Sequence, residues 1–170
     1  AEPVVPGLIR RQIAMRAGSS LELRVPPVAV ASVAALCMWL LSRWTPGLEL
    51  AQPWRLGTAV LLLATGVVVA VAGVLEFRRA RTTVNPTTPQ AASSMVRSGI
   101  YCHTRNPMYL GMLLVLAAWA AWLANPAAFA VLPAFFLYVN RFQIEPEERI
   151  LAGLFAGEFD AYRRSVRRWL

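Results

Sequence analysis

The sequence predicts an all-α fold: a polytopic membrane bundle of about four transmembrane helices, followed by an amphipathic helix on the cytoplasmic side. Hydrophobic residues make up 57% of the 170-residue chain and only 15% are charged, and the mean hydropathy is +0.49. This composition is too apolar for a soluble domain of this length. The charged residues lie mostly between and beyond the apolar runs, as in proteins that cross a membrane several times.

Four apolar runs are interpreted as spans. They cover about Pro27–Ser42, Trp54–Phe77, Met108–Ala124 and a shorter run from Pro126 to Val139. A bilayer crossing usually takes roughly 17 to 25 residues, so we expect the fourth helix to continue through Asn140 and Arg141 with a polar end. Only Asn125-Pro126 separates the third and fourth runs, which predicts a tight antiparallel hairpin.

Arginine placement predicts the orientation of the bundle. All 17 basic residues are Arg, and Arg43 and Arg55 alone fall on the side opposite to the others. The positive-inside rule therefore places both termini and the long central loop in the cytoplasm. The net charge of +8 is explained by this topology and by contact with anionic membrane lipids, so no nucleic-acid partner is expected.

The whole chain is predicted to form a single membrane domain. Its segments are a cytoplasmic or interfacial stretch (1–25), two spans (26–77), a cytoplasmic loop (78–106), a helical hairpin (107–144) and a cytoplasmic C-terminal helix (145–170). Within the first segment, Leu8–Arg24 mixes apolar residues with Arg and suits either an interfacial helix or a flexible basic arm. The last segment repeats apolar residues every three or four positions from Leu151 to Trp169, which is typical of a helix.

Small residues on the second span predict a helix-packing face. Ala64, Gly66, Ala70 and Gly73 recur along this run. Small side chains let membrane helices approach closely, either within one bundle or between subunits. The sequence leaves the oligomeric state open.

The segment Ser98–Gly111 is the most informative for chemistry. Pro107 suits a first helical turn, and Asn106 before it is a predicted N-cap. A helix start carries partial positive charge and free N–H groups, and Arg105 adds a full charge beside it. The segment therefore predicts an anion site at the membrane surface. A capped transmembrane helix with a basic flank is the alternative.

Acidic residues form a second polar feature. Glu145, Glu147 and Glu148 lie close in sequence to Arg141. Acidic residues favour a helix N-terminus, which explains part of the cluster, and the rest forms a candidate polar site under the membrane. Glu76, at the inner end of the second span, is instead expected to extend towards water beside neighbouring arginines.

Metal and disulfide chemistry is not expected. The chain has one His and two Cys, and the two Cys are far apart in sequence. These residues make neither a zinc-binding pattern nor a disulfide framework.

Several short motifs occur in a distinctive order. They are Asn85-Pro86, Met95–Tyr101, Arg105–Gly111, Glu147-Glu148, and Phe159 to Tyr162 followed by Val166. Together they resemble the isoprenylcysteine carboxyl methyltransferases and their bacterial relatives, and more loosely the phospholipid N-methyltransferases. The resemblance covers roughly residues 74 to 170. The His that is common after the Arg of this motif is Asn106 here, and Asn does not titrate near neutral pH.

The resemblance implies an S-adenosylmethionine-dependent methyltransferase that acts, without a metal, on a carboxylate or amine of a lipophilic molecule from the bilayer. The residues it implies as cofactor-binding are Tyr101, His103, Asn106, Pro107, Met108, Tyr109, Leu110 and Glu147. The catalytic candidates are Arg105, Glu148 and Arg141. A free Arg105 would orient a carboxylate by two hydrogen bonds, which favours a carboxylate acceptor slightly.

Two other functions remain open at this point. One is a non-enzymatic membrane protein that binds a partner and keeps a degenerate pocket. The other is an NADPH-dependent membrane reductase, because some sterol reductases resemble the C-terminal region. Those reductases have many more spans than the four predicted here.

Overall fold

The computed structural model describes residues 22–80 and 94–170 of the chain. The regular elements are α1 (Pro27–Trp44), α2 (Gln52–Arg79), a 3-10 helix (Gly99–Cys102), α3 (Pro107–Leu123), α4 (Pro126–Phe129), α5 (Val131–Val139), a π-helix (Asn140–Ile144) and α6 (Glu145–Ser165). All of them are helical, which confirms the all-α prediction for this part of the chain. Most of Leu8–Arg24 and residues 81–93 of the central loop lie outside the described ranges.

Three helical stretches are long and apolar enough to cross a membrane. They are α1, α2 and the nearly continuous run Pro126–Ser165 that contains α4 to α6. The helix α3 is also apolar but has only 17 residues. The predicted count of four spans therefore stays a prediction. Large apolar side chains on α1 and α2 are exposed, as expected for helices that face lipid.

The helix α3 is central, because α1, α2 and α5 all pack against it. Its contact with α2 depends on glycine: a Cβ added at Gly111 would lie 2.6 Å from the carbonyl oxygen of Gly66 and 2.7 Å from Cβ of Ala70. A Cβ added at Gly73 would lie 3.0 Å from Met108 Cγ. The small-residue face of α2 is therefore used within the bundle, which allows the two backbones to approach closely.

The helical run after α5 differs from the sequence prediction in its path and its end. The chain stays helical beyond Asn140, as expected, and the π-helix continues directly into α6. Within the π-helix, the Phe142 carbonyl accepts a hydrogen bond from the amide N–H of Leu23 at 3.1 Å. Helix α6 is interrupted at Ala156, where φ is +27°. It ends at Ser165, so the prediction of helix as far as Trp169 is wrong.

The end of the bundle where α3 stops is closed by Asn125, which is 1% exposed. Its Oδ1 accepts hydrogen bonds from the amides of Ala127 (2.9 Å) and Ala128 (3.3 Å), so it caps α4. The same oxygen accepts from Thr45 Oγ1 at 3.0 Å, and Nδ2 donates to the Thr45 carbonyl at 3.1 Å. One side chain thus joins the loop after α1 to the turn between α3 and α4.

Candidate active site

A cavity of about 90 Å³ lies at the opposite end of the bundle. It is enclosed by the end of α2, residues 94–96, the 3-10 helix, the start of α3 and both halves of α6. Its aromatic lining comes from Phe77, Tyr101, Tyr109, Phe159 and Tyr162, and its charged lining from Arg105, Glu147 and Glu148. Aromatic rings and charges of both signs therefore meet in one small space.

Arg105 and Glu148 form a mostly buried ion pair at this cavity. Arg105 Nη2 donates to Glu148 Oε1 at 2.9 Å, and the two side chains are 9% and 13% exposed. Arg168 Nη2 donates to the other carboxylate oxygen of Glu148 at 2.7 Å. The two predicted catalytic residues are thus brought together, and Glu148 lies between two guanidinium groups.

The remaining contacts of Arg105 are with backbone carbonyls, so the predicted anion site at the start of α3 stays a prediction. Its Nη1 donates to the carbonyls of Arg163 at 3.1 Å and Val166 at 3.3 Å. Both terminal nitrogens are therefore engaged by α6 and the residues that follow it. The anion that Arg105 meets is the carboxylate of Glu148.

The C-terminal tail, residues 166–170, lies against the start of α3. The backbone N–H of Arg105 donates to the Arg167 carbonyl at 3.0 Å. The Arg168 carbonyl accepts from Thr104 Oγ1 at 3.3 Å and from Asn106 Nδ2 at 3.0 Å. Trp169 Nε1 donates to Asn140 Oδ1 at 3.1 Å. These contacts hold the tail across the outer side of the Arg105–Asn106 turn.

Asn106 occupies the N-cap position of α3, as the sequence predicts, but its side chain does not cap the helix. Its side chain makes no capping hydrogen bond to α3 and is directed to the tail instead. The amide N–H of Asn106 donates to Thr104 Oγ1 at 3.2 Å. The tertiary contact with Arg168 has replaced the local cap.

Glu147 and Tyr109 form a second polar pair on the cavity wall. Tyr109 Oη donates to Glu147 Oε1 at 2.5 Å. Tyr109 is 4% exposed and belongs to α3, so the contact fixes the start of α6 against the start of α3. The Oε2 atom of Glu147 accepts no hydrogen bond from the residues described, which leaves it available to a ligand in the cavity.

Two further polar atoms at the cavity are buried without a partner in the described part of the chain. They are Tyr101 Oη and Arg105 Nε. The Tyr101 ring is 4% exposed and meets Phe77 edge-to-face at 5.5 Å. Burial raises the pKa of the Tyr101 phenol above its usual range, so the group is a neutral hydrogen-bond donor. Buried polar atoms without partners are costly, and both atoms are candidates to bind a ligand.

Glu76 is buried behind this wall, contrary to the expectation that it would extend towards water. It is 6% exposed and accepts hydrogen bonds from Ser98 Oγ and, at 2.6 Å, from Arg79 Nη1. Gly99 has φ of +58°, and a Cβ there would lie 2.6 Å from Glu76 Cδ. The glycine therefore lets the 3-10 helix that carries Tyr101 dock on the end of α2.

The structure gathers seven of the eleven predicted site residues around the cavity. They are Tyr101, Arg105, Asn106, Met108, Tyr109, Glu147 and Glu148. His103 is exposed, and Pro107 and Leu110 are buried but do not line the cavity. Arg141 also lies elsewhere: its Nη1 is 3.0 Å from Glu22 Oε1 and 3.7 Å from Glu145 Oε2.

Several lining residues were not predicted as site residues. They are Phe77, Ser94, Met95, Val96, Leu151, Phe159 and Tyr162. Met95, Val96, Phe159 and Tyr162 belong to the motifs that carry the family resemblance, and that signal could have identified them. Phe77 and Leu151 look like ordinary apolar residues of a helix, and nothing in the sequence distinguishes them.

Comparison with known proteins gives two matches. A family model described as phospholipid methyltransferase matches residues 54–158, which is more than half of the chain. The match includes all of α3 and all of α2 except its first two residues. An uncharacterized protein from Haemophilus influenzae is 46% identical over 63 residues, which is 37% of this chain and the whole of that protein. No solved structure matches the chain. Because the family model matches more than half of the chain, and because three helical stretches are apolar and long enough to cross a membrane, this chain belongs to the phospholipid methyltransferase family, a group of membrane methyltransferases.

Proposed function

We propose that the protein transfers a methyl group from S-adenosylmethionine to a carboxylate or amine on a lipophilic small molecule drawn from the bilayer, in the manner of the isoprenylcysteine carboxyl methyltransferases. One observation carries the proposal. The cavity combines aromatic rings, the free carboxylate oxygen of Glu147 and two buried polar atoms without partners, Tyr101 Oη and Arg105 Nε.

The residues present fit such a cofactor. When bound, S-adenosylmethionine supplies a methyl group on a positively charged sulfur. The Glu147 carboxylate can accept hydrogen bonds from ribose hydroxyls, and Tyr101 Oη can donate one. Electron-rich faces of the tyrosine and phenylalanine rings suit both a flat heterocycle and a cation.

The chain's own contribution is to hold the reacting groups and keep water away. The ion pair of Arg105 with Glu148 forms part of the cavity wall, and the tail at residues 166–170 packs against Arg105. A displacement at a methyl group needs its two partners in line, and orientation alone can lower such a barrier by about 7 to 11 kcal/mol. A rigid, partly buried set of polar contacts is suited to that task.

The structure changes the balance between the two acceptor types. The slight preference for a carboxylate rested on a free Arg105, whose terminal nitrogens are now seen bonded to Glu148 and two carbonyls. An amine acceptor must lose a proton, and the Glu147 side chain at the cavity wall is a candidate base. Both acceptor classes remain part of the proposal.

The proposed location is a bacterial inner membrane with the cavity facing the cytoplasm. The cavity end of the bundle carries Arg78 and Arg79 at the end of α2 and four arginines at 163–168, whereas Arg43 and Arg55 are at the other end. The positive-inside rule supports this orientation.

Calorimetric titration of the detergent-solubilised, lipid-supplemented protein tests the proposal. We expect saturable binding of S-adenosylmethionine and S-adenosylhomocysteine, and no binding of NADPH. Glu147→Gln should weaken binding roughly tenfold, because one carboxyl oxygen is replaced by an amide NH2 group that cannot accept a hydrogen bond. Glu158→Gln, an exposed change on the same helix, is the matched control. A folded sample that binds neither methyl-donor compound, or that binds NADPH instead, would disprove the assignment.

A further inference from the structure

A second, larger apolar space lies on the surface of the bundle, away from the cavity. Helices α1 and α2 both pack on α3 and leave a groove of about 480 Å³ between them. Its walls and floor include Ala35 of α1, Leu56, Val60 and Leu63 of α2, and Trp119 and Trp122 of α3. The groove is apolar along its length and opens towards the region that lipid occupies in an integral membrane protein.

Arg55 lies at the mouth of this groove, one residue before Leu56. Its guanidinium carbon is 5.0 Å from the centroid of the Trp122 ring. Its Nε is buried and has no hydrogen-bond partner among the residues described. A buried donor without a partner costs free energy, and the described residues offer no acceptor to Arg55 Nε.

The charge environment of Arg55 differs from that of several arginines at the other end of the bundle. Arg105, Arg141, Arg149 and Arg168 each have a carboxylate oxygen within 4 Å. Within residues 22–80 and 94–170, no carboxylate lies that close to Arg55. The described residues therefore supply no counter-charge for the Arg55 guanidinium.

Tryptophans place Arg55 at the depth of lipid headgroups. Trp44 and Trp54 flank this end of the bundle and are 86% and 77% exposed. Exposed tryptophans collect at the boundary between hydrocarbon and headgroups. Arg55 is therefore level with phosphates, while Val60 and Leu63, one and two turns further along α2, are level with acyl chains.

We propose that this groove binds one anionic phospholipid of the bilayer, with its phosphate on Arg55 and an acyl chain along the groove. Arg is suited to phosphate because its planar fork gives charge-assisted hydrogen bonds. The site lies at the other end of α3 from the cavity, so it is independent of the proposed methyl transfer. The bound lipid fills the space between α1 and α2 and acts as a resident component of the bundle.

Native mass spectrometry of the purified full chain tests the site. The probes are phosphatidylglycerol and phosphatidylcholine with identical acyl chains, titrated separately. We expect preferential, saturable binding of one phosphatidylglycerol. Arg55→Gln should lower this affinity roughly tenfold, the equivalent of losing one charge-assisted hydrogen bond. Arg43→Gln removes the same charge at the same end of the bundle, outside the groove, and should leave the affinity unchanged.

A second pair of variants tests the groove itself. Val60→Trp places a bulky ring in the groove and should displace the lipid, whereas Val68→Trp makes the same change at an exposed position of α2 that does not line it. Circular dichroism confirms that each variant is folded. Equal binding of the two lipids, equal losses in the Arg43 and Arg55 variants, or no effect of Val60→Trp would overturn the proposal. So would a dimer that Val60→Trp dissociates, because the groove would then be an interface between copies.

Discussion

Two helices begin with the same dipeptide, Asn106-Pro107 at α3 and Asn125-Pro126 at α4, and the two asparagines have different roles. Asn125 caps its own helix and also bonds Thr45 across the bundle. Asn106 makes no cap and donates to the carbonyl of Arg168 in the tail. The local sequence predicts a helix start at both places, but the distant partner decides what each side chain does.

The same contrast separates the two ends of the bundle. At the Asn125 end, the side chain of Asn125 in the α3–α4 turn hydrogen-bonds to Thr45 and Pro46 in the loop after α1. These contacts stabilise the fold at this end. At the cavity end, Tyr101 Oη and Arg105 Nε are buried without partners among the described residues. Fold stability and binding of the methyl donor are thus assigned to opposite ends of α3, and mutations at the two ends should separate these two properties.

The largest expected effect is the loss of methyl transfer in Arg105→Ala and Glu148→Ala. Either change removes the ion pair in the cavity wall, and misplacing groups by about 1 Å can cost roughly 100-fold in rate. Arg168 still pairs with Glu148 when Arg105 is absent, so the variant should stay folded in detergent. Turnover assays with labelled S-adenosylmethionine measure the effect. Arg163→Ala, an exposed change, is the control, and wild-type turnover in both cavity variants would refute the site assignment.

At the other end, Asn125→Ala should lower stability while leaving turnover at room temperature intact. It removes the cap of α4 and leaves Thr45 and Pro46 without their bonds, a loss of about 1–3 kcal/mol. Thermal unfolding in detergent, followed by circular dichroism, measures it. A variant that melts normally but has lost activity would show that the two ends are not separable.

The smallest expected effect is that of Asn106→Ala. One hydrogen bond to the tail disappears, worth about 0.5–1.5 kcal/mol, and no helix cap is lost. The melting temperature should fall less than in Asn125→Ala, while S-adenosylmethionine binding weakens because the tail is held less firmly. Asn106→His, which introduces the residue common in the resembling family, can donate to the same carbonyl and should restore binding. A destabilisation equal to that of Asn125→Ala would mean that Asn106 acts as a cap after all.

The helical class and the approximate bounds of the first three helices were predictable because they depend on local hydropathy. The runs at Pro27, Trp54 and Met108 correspond to α1, α2 and α3 within about two residues at each end. Only the family resemblance placed Arg105 and Glu148 in one site, and their ion pair was not predicted. The two residues are 43 positions apart, and no periodicity in the sequence connects them.

The features that could not be predicted from the sequence depend on contacts between residues far apart in the chain. The pattern of aromatic and basic residues continues to Trp169, yet the helix ends at Ser165 because the tail bonds Arg105, Asn106 and Asn140 instead. Glu76 looked like an exposed residue beside two arginines. Its burial follows from Ser98, which lies 22 residues later, and from the positive φ of Gly99. Arg141 was placed with the glutamates by proximity in sequence, but its partners include Glu22 of the N-terminal segment.

The π-helix at Asn140–Ile144 changes the direction in which the side chains after it point around the axis of the last long helical run. A π turn has the length of an α turn with one residue inserted, so every side chain after it is rotated by roughly 100° from where an uninterrupted α-helix would put it. This rotation helps to explain why Glu147 and Glu148 face the cavity while Arg141 faces Glu22. In a relative with one residue fewer in this segment, the same motif would line a different surface, so alignments of such sequences should place their gap here.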